Sequence, residues 1–396
     1  MKNVQWIIEK NCCSGCGACA VVCPTGCISI VEGLLVNYPS IRGDICINCG
    51  ECMRVCPGNS FLDRFLTGTD LSENEDQVQC KIAYSKDEKI RYSSASGGFI
   101  TGFLIFLLEH KYIDGAICVR QNQKSPLLNE VILAKTREAI LESMGSRYSP
   151  SSNCIGLKEL ANCSGKYAFV GKPCDIEGVH NIQKIYAEFK SIVVLKIGLM
   201  CDCTPTRKGI YNLLRSLEVD KNSIVKIKFR GNGWPGFFYI ELQDGKKYKL
   251  PYLEAWNKHL SKCRTTRCTI CDDPLANKAD ITVGDPWGEE FSSEKSGASA
   301  IIIRNEYWNT IFSEAFKQGF IEARNVAFKD ILRYQGRLLG RLTQKKISAI
   351  AYKKVFNFNV SFAEMKKTCG FSIKSYLKVL KKVQNFKRDK KVSHYR

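Results

Sequence analysis

Two cysteine repeats near the start of the chain limit its fold and chemistry more than any other feature. Each reads C-x2-C-x2-C-x3-C-P, a spacing that gives three thiolates to one [4Fe-4S] cluster and the fourth thiolate to its neighbour. The repeats predict two [4Fe-4S] clusters and disfavour a disulfide framework or a pair of zinc knuckles. One cluster is predicted on Cys13, Cys16, Cys19 and Cys56, and the other on Cys46, Cys49, Cys52 and Cys23.

The length and the apolar segments indicate a larger protein around these clusters. A chain of 396 residues is long enough for more than one domain. Its first residues lack the sustained apolar stretch of a signal peptide. The longest apolar stretch, residues 99–108, is too short to span a bilayer. Cluster spacing without an export signal leads us to expect a cytoplasmic protein.

The net charge of +20 is concentrated at the C-terminal end. Residues 341–396 contain sixteen lysines and arginines against two acidic residues. Apolar residues recur at helical spacing between the lysines, which predicts a basic helical tail. Such a helix suits peripheral contact with an anionic membrane at its inner face, or an acidic partner, although packing as an ordinary terminal helix is an equal alternative. No recognition motif accompanies the charge, so we expect no nucleic-acid binding.

Patterns after the cysteine repeats predict an α/β region. Residues 97–110 have the composition of a buried helix, and the apolar runs at 167–170 and 192–199 are typical of strands buried on both faces. Residues 237–242 and 248–251 flank Asp244-Gly245, which predicts a hairpin. Helical patterns are predicted from about residue 304 to the end.

A third cysteine group indicates a further metal site. Three thiols with the spacing C-x4-C-x2-C lie in a basic loop, where positive charge favours thiolates. We predict a third [4Fe-4S] cluster, with zinc as the alternative because four thiolates suit either metal. Cys203 is an alternative to Cys201 as the remote fourth ligand. The preferred ligands are Cys201, Cys263, Cys268 and Cys271.

Four loops are predicted to approach a ligand. One precedes a predicted helix, where exposed amides suit a phosphate, and one follows a buried strand, where α/β sheets bind ligands. No Walker motif is present, and no G-x-G-x-x-G lies between a predicted strand and a predicted helix, as a conventional dinucleotide fold requires. The loops are S-S-A-S-G-G (93–98), G-S-R-Y-S-P-S-S (145–152), G-K-P-C-D (171–175) and R-G-N-G-W-P-G (230–236).

The loops and the third cysteine group belong to an ordered set of motifs, which reads SSASGGF, GSRYSPSS, VGKPCDIEGV, IGLMC, FRGNGWPG, C-x4-C-x2-C-D and ADITVGDPWG. As a set, these motifs resemble the family of coenzyme F420 hydrogenase and dehydrogenase beta subunits. The resemblance implies an α/β flavoprotein that binds FAD, carries a cluster near it and exchanges hydride with the deazaflavin coenzyme F420. The cofactor-binding residues that it implies are Ser96, Gly97, Gly98, Gly145, Ser146, Arg147, Tyr148, Lys172, Pro173, Cys174, Arg230, Asn232 and Trp234.

The resemblance also sets the expected domains. We expect a multidomain α+β and α/β protein with a bacterial-type ferredoxin domain at 1–62, a linker at 63–80, a flavin-binding region at 81–180, a second region with the third cysteine group at 181–340 and the tail at 341–396. Lys172 and Asp175 differ from the Thr and Gln of many relatives, and R-G-N-G-W-P-G is most like members that accompany surface-polysaccharide genes.

We therefore predict an iron-sulfur flavoprotein oxidoreductase without a catalytic acid or nucleophile. It would pass electrons between a deazaflavin or other hydride carrier and one-electron carriers, ending at a redox partner protein or ferredoxin. One alternative is a ferredoxin-fed reductase of an organic substrate in surface polysaccharide synthesis. Another is a non-catalytic electron-transfer subunit.

Overall fold

The computed structural model describes residues 3–67, 77–161 and 163–336, together with Leu338 and Gly340. The predicted basic tail and residues 68–76 of the predicted linker lie outside the described residues. The strands are β1 (Ile28–Glu32), β2 (Asn37–Ile41), β3 (Gln79–Ser85), β4 (Gly115–Gln121), β5 (Asn129–Ala134), β6 (Tyr167–Gly171), β7 (Val193–Leu199), β8 (Ile224–Lys228), β9 (Phe237–Leu242), β10 (Lys247–Pro251), β11 (Ile281–Gly284), β12 (Ser299–Ile303) and β13 (Ile321–Asn325).

The helices connect these strands and cover the faces of the larger sheet. They are α1 (Gln5–Glu9), α2 (Ala18–Val21), α3 (Glu51–Arg54), α4 (Pro57–Thr67), α5 (Glu88–Ser93), α6 (Phe99–Glu109), α7 (Arg137–Glu142), α8 (Leu157–Leu160), α9 (Pro173–Ile185), α10 (Ala187–Ile192), α11 (Arg207–Ser216), α12 (Tyr252–Lys258), α13 (Thr266–Thr269), α14 (Glu306–Lys317) and α15 (Phe328–Tyr334).

The N-terminal segment forms the ferredoxin-like domain that the cysteine repeats predict. Its two strands pair antiparallel, with Ile28 opposite Ile41. Each cysteine repeat runs into a short helix whose N-cap is a glycine with positive φ, Gly17 before α2 and Gly50 before α3. A left-handed N-cap has little steric cost for glycine, so each loop can turn sharply around its cysteines. Helix α4 continues to Thr67, into the segment predicted as a linker.

The body is a mixed sheet with the strand order β13-β3-β12-β11-β7-β6-β4-β5. Its four central strands β4, β6, β7 and β11 are parallel, and the flanking strands are antiparallel. Apolar residues on both faces of the central strands explain this arrangement, because each face needs a helical cover. Helices α6 and α14 pack on one face, and α8 and α9 pack on the other.

A smaller sheet, β10-β9-β8, packs with α11 and α12 around Phe229 and Phe238. Its β9-β10 hairpin confirms the prediction from Asp244-Gly245. The prediction of continuous helix after about residue 304 was wrong, because β13 lies between α14 and α15. Strand β13 forms by pairing with β3, a partner far away in the chain, so local patterning did not indicate it.

The carboxyl ends of the parallel strands lie at one edge of the large sheet. Lys172 follows β6, Met200 follows β7 and Asp285 follows β11 at this edge. Strand β12 begins at the same edge, since Ala300 pairs with Gly284. Open α/β sheets bind ligands at such an edge, so the fold places the candidate site there.

Candidate electron-transfer site

The ferredoxin-like domain packs against the helix-covered face of the body. Ala18 and Val55 share an apolar cluster with Ile176 and Val179 of α9. A Cβ atom at Gly17 would lie only 2.6 Å from Ile155 Cγ2, so the backbone of the first cysteine loop approaches the body closely. The two parts therefore share a core rather than touching at a flexible boundary.

Polar contacts also join the ferredoxin-like domain to the body. Arg64 of α4 donates to Glu177 of α9 and, through Nε at 2.9 Å, to Asp272. Arg207 of α11 donates to Gly33 O at 2.7 Å and to Asn37 Oδ1 at 2.5 Å. These charged side chains are largely buried, where charge-assisted hydrogen bonds are stronger than on the surface.

The cysteines predicted for one cluster lie together on the body side of this domain. We call Cys13, Cys16, Cys19 and Cys56 the inner set. Burial, followed by the negative charges of Cys16 and Cys13, raises the pKa of the Cys56 thiol well above its ordinary value. Burial also raises the pKa of Cys13 to about 12. Cys56 of the second repeat thus lies beside first-repeat cysteines, as the exchange of the fourth ligand requires.

The remaining cysteines of the repeats form what we call the outer set, in which only Cys52 is buried. They are Cys23, Cys46, Cys49 and Cys52. Ile47, between two of them, is 64% exposed. Partial burial disfavours ionisation of Cys23, but hydrogen bonds from Cys27 and Thr25 outweigh it and lower its pKa. Three of the four thiols in the outer set are therefore partly exposed.

A second group of thiols surrounds a cavity at the carboxyl ends of β6 and β7. The cavity has a volume of about 40 Å³ and meets Cys13 of the inner set on its ferredoxin side. Burial, followed by the charges of Cys268 and Cys174, raises the pKa of Cys201 well above its ordinary value. Thiols of the body that line the cavity are Cys174, Cys201, Cys203, Cys268 and Cys271.

Cys263 occupies a different position from the one that its spacing suggests. Its sulfur accepts a hydrogen bond from Asn212 Nδ2 of α11 at 3.7 Å, and it is not part of the cavity wall. Cys203 lines the cavity but also packs among the apolar side chains of the smaller sheet. Cys174, which we predicted as a flavin contact, faces the cavity together with Cys201, Cys268 and Cys271.

Local structure explains why Cys174 is fixed there. Pro173 begins α9, a position where its missing N–H costs nothing. Asp175, fully buried, accepts a hydrogen bond from the backbone N–H of Lys172 at 3.0 Å and forms an ion pair with Lys172 Nζ at 2.7 Å. Lys172 Nζ also donates to Ser151 Oγ at 3.2 Å. The Lys-Pro-Cys-Asp sequence thus forms a rigid helix start that presents the Cys174 thiol.

The donor chemistry of this wall fits an iron-sulfur cluster. Five thiols of the body, from three separate segments, line this cavity, and a buried arginine, Arg267, lies in the same wall. Thiolates are the ligands that such clusters need, and a nearby cation offsets their charge.

The Ser96–Gly98 loop and the Arg230–Trp234 loop lie side by side at the same sheet edge. The Gly233 N–H donates to Tyr92 O at 2.9 Å, and the Trp234 N–H donates to Lys295 O at 2.7 Å. Ser96 Oγ donates to Ala298 O at 2.7 Å. A Cβ atom at Gly97 would lie 2.6 Å from Ala298 Cα, so this contact requires glycine. Gly98, with φ 71°, is the N-cap of α6.

Arg230 supports this loop from inside the protein. It is 1% exposed and forms two 2.7 Å hydrogen bonds with the Asp285 carboxylate, while its Nε donates to Pro235 O. Trp234 Nε1 also donates to Asp285, at 2.8 Å. Asn232 Oδ1 accepts from Lys228 Nζ at 3.1 Å. Sequence reasoning did not single out Asp285 as a site residue; its position directly after a buried parallel strand is the signal that could have found it.

The Gly145–Tyr148 loop lies between the large and small sheets. A Cβ atom at Gly145 would lie 3.8 Å from Arg230 O, which places this loop beside the other two. Tyr148 stacks on Tyr252 with ring centres 5.6 Å apart. Arg147 donates to Asn129 Oδ1 and Ile227 O, but its buried Nη2 has no partner among the described residues. Burial lowers the pKa of Arg147 to about 10.

These loops fit a flavin in one specific respect. Ser94 Oγ and Arg147 Nη2 are buried donors without acceptors in the described part of the chain. Buried polar groups normally have partners, and an anionic or carbonyl-rich ligand supplies acceptors. Ser146 and Gly145 are half-buried in the same loop.

Comparison with known families identifies the relationship. The family model for the N-terminal part of coenzyme F420 hydrogenase/dehydrogenase beta subunits matches residues 80–158, and that for their C terminus matches residues 164–329. This chain belongs to the family of coenzyme F420 hydrogenase/dehydrogenase beta subunits. A 4Fe-4S dicluster domain matches residues 12–60, which confirms the iron-sulfur prediction for the N-terminal repeats.

Individual relatives of this family member come from several organisms. The coenzyme F420 hydrogenase beta subunit, from Methanosarcina barkeri, is 27% identical over 71% of this chain and 94% of its own length. One component of the F(420)H(2) dehydrogenase of Methanosarcina mazei is 26% identical, over 77% of this chain and 86% of its own. The 7-hydroxymethyl chlorophyll a reductase of Oryza sativa is 23% identical, over 54% of this chain and 45% of its own length.

A solved structure shows the same fold. A chain of the F420-reducing [NiFe] hydrogenase complex from Methanosarcina barkeri superposes with a TM-score of 0.55 at 22% identity. The match covers 72% of this chain and 95% of the other. None of the described helices combines the length and apolar character needed to cross a membrane.

Proposed function

We propose that this member of the family is an iron-sulfur flavoprotein oxidoreductase that links a hydride carrier to one-electron carriers. The observation that carries the proposal is the cysteine cavity, because one wall belongs to the body and the other contains Cys13 of the ferredoxin-like domain. FAD held by the neighbouring loops would exchange a two-electron hydride with a deazaflavin such as F420 and single electrons with clusters. Relatives named for F420 support this choice of carrier.

The third cluster is assigned to Cys174, Cys201, Cys268 and Cys271. This set replaces Cys263 of the sequence prediction with Cys174, because Cys174 lines the cavity and Cys263 faces α11. Lys172 and Asp175 hold Cys174 in position. The inner and outer sets hold the other two clusters.

The flavin is assigned to the loops at the sheet edge. Arg147 supplies a half-buried cation whose buried Nη2 has no hydrogen-bond partner in the described part of the chain, which suits the pyrophosphate of FAD. The Ser96–Gly98 loop supplies backbone amides at the start of α6, where anions are stabilised. Arg230 acts indirectly, since its hydrogen bonds to Asp285 and Pro235 shape the Asn232–Trp234 segment.

Iron and flavin analysis tests the assignment. Anaerobically purified protein should contain about twelve irons and FAD, whereas a simple relay would contain about eight irons and no flavin. Cys174→Ser should lower the content to about eight irons, and Cys263→Ser, the matched control, should keep about twelve. The opposite result for these two variants restores the sequence-based ligand set, and zinc in place of iron refutes the third cluster.

The electron acceptor is proposed to be a redox partner protein or ferredoxin that meets the outer set. The fold is shared with a chain of a hydrogenase complex, and Ile47 beside Cys46 and Cys49 is exposed. An exposed apolar residue in a cluster loop is the kind of feature that marks a protein contact.

A second candidate is a reductase that receives electrons from ferredoxin and reduces an organic substrate. The relationship to a protein named 7-hydroxymethyl chlorophyll a reductase favours it. Anaerobic mixing with reduced F420 separates the two functions. Bleaching of the bound flavin by reduced F420 supports the first proposal. Bleaching by reduced ferredoxin alone supports the second.

A further inference from the structure

Arg267 is a buried cation in the wall of the cysteine cavity. It is 3% exposed, and its Cζ lies 4.1 Å from the centre of the Phe61 ring of α4. Its Nη2 lies 3.7 Å from Asp272 Oδ1, too far for a hydrogen bond. Its Nε and Nη1 have no partner in the part of the chain that the structure describes. Buried donors without acceptors are costly, so this wall is built for an acceptor that enters the cavity.

The neighbouring carboxylates do not satisfy this arginine. Glu177 and Asp272 both accept hydrogen bonds from Arg64, and the distance from Arg64 Nε to Asp272 Oδ2 is 2.9 Å. Arginine keeps its positive charge in proteins, so Arg267 brings a buried cation to the cavity wall that Cys268 and Cys271 also line.

We propose that Arg267 sets the electron affinity of the cluster assigned to Cys174, Cys201, Cys268 and Cys271. The inference rests on the proposed third cluster. A tetrathiolate cluster is anionic and gains one negative charge when it takes one electron, so a buried cation stabilises the reduced form more than the oxidised form. Arginine keeps its proton under these conditions, so the electron is taken up without proton transfer at this residue.

Arg264 provides a matched comparison on the same loop. Its guanidinium donates to Ser261 O through Nε at 3.0 Å and pairs with Asp202 at 3.3 Å. It is more exposed than Arg267. Its charge is therefore already paired and screened, and its loss should affect the cluster much less.

A redox titration of the full chain, followed by electron paramagnetic resonance, tests the role of Arg267. The third-cluster signal is identified by its loss in Cys268→Ser. Arg267→Gln should shift the ratio of reduced to oxidised cluster about tenfold toward oxidised at a given potential, which is about 59 mV for one electron. Arg267→Lys should recover most of the wild-type potential, and Arg264→Gln should remain close to wild type.

The outcomes separate this inference from the proposed function. If Arg267→Gln contains about twelve irons and the potential of its third cluster is unchanged, the inference is overturned and the third cluster stays in place. About eight irons in the wild type overturns both. If Arg267 only joins Phe61 to the body, Gln and Lys variants should lower the unfolding midpoint alike without a potential shift.

A second variant tests the same inference if Arg267→Gln does not assemble its clusters. Asp272→Asn removes the negative charge 3.7 Å from the guanidinium, so the cluster potential should rise. A protein with full iron content and no rise would overturn the inference as well.

Discussion

The inner and outer sets of cysteines come from repeats of identical spacing but have different surroundings. The inner set lies against the body, where Cys16 shares an apolar cluster with Ile176 and Cys13 lines the cavity. The outer set lies beside exposed Ile47. In the function that we propose, a domain built from two similar repeats becomes directional because only one of its sides is covered, so that one cluster faces the site and the other faces a partner.

A corresponding position in each repeat shows the same difference at atomic scale. Cys27 and Ser60 each lie four residues after the last cysteine of a repeat. Cys27 Sγ lies 3.3 Å from Cys23 Sγ. Ser60 Oγ instead accepts a hydrogen bond from Asn181 Nδ2 of α9 at 2.9 Å. One position contacts a cluster ligand, and the other joins the domain to the body.

The largest expected effect comes from placing a charge beside the outer set. Ile47→Asp should slow electron transfer to the partner about tenfold, equivalent to about 1.4 kcal/mol, because an unpaired carboxylate would be desolvated at the contact. Stopped-flow reduction of the partner measures this rate. Leu34→Asp is the control, since Leu34 is 66% exposed but lies in the β1-β2 turn beside Gly33, which contacts Arg207. Equal slowing in both variants would remove the distinction between the two sides.

A smaller effect is expected from a methyl group at the covered side. Gly17 and Gly26 both have positive φ, but a Cβ at Gly17 would meet Ile155, whereas a Cβ at Gly26 would meet nothing within 4 Å. Gly17→Ala should therefore lower the free energy of unfolding by about 1 kcal/mol more than Gly26→Ala. Anaerobic denaturant unfolding, with iron content checked, gives the comparison. Equal losses would mean that the first repeat tolerates separation from the body.

The smallest effect is expected at the spare thiol of the outer set. With Cys23 ionised as a ligand, Cys27 becomes the hydrogen-bond donor to it, and such bonds raise cluster potentials. Cys27→Ala should lower the outer-cluster potential by less than about 59 mV, a change below tenfold in the reduced-to-oxidised ratio. Ser60→Ala should leave both ferredoxin-cluster potentials unchanged. A shift in the inner cluster upon Cys27→Ala would contradict the ligand pairing.

Much of the fold followed from local patterns. The buried helix α6, the strands β6 and β7 and the β9-β10 hairpin were predicted because apolar runs and turn residues act over a few neighbours. Strands β3 and β13 were missed because they pair with partners far away in the chain. The family was also predicted, since its loops recur as an ordered set, and the family models confirm it.

Some features of the candidate site also followed from local sequence, whereas others depended on contacts between distant segments. The sequence by itself determined the cluster-binding repeats and the third group of thiols, because ligand type and spacing are properties of short segments. Only the tertiary structure decided which cysteines lie against the body, and that Cys174 lines the cavity while Cys263 faces α11. It also decided that Arg230 hydrogen-bonds to a carboxylate, whereas Nε and Nη1 of Arg267 have no hydrogen-bond partner in the described part of the chain. Burial and charge pairing depend on side chains that folding brings together from distant segments, so no local pattern specifies them.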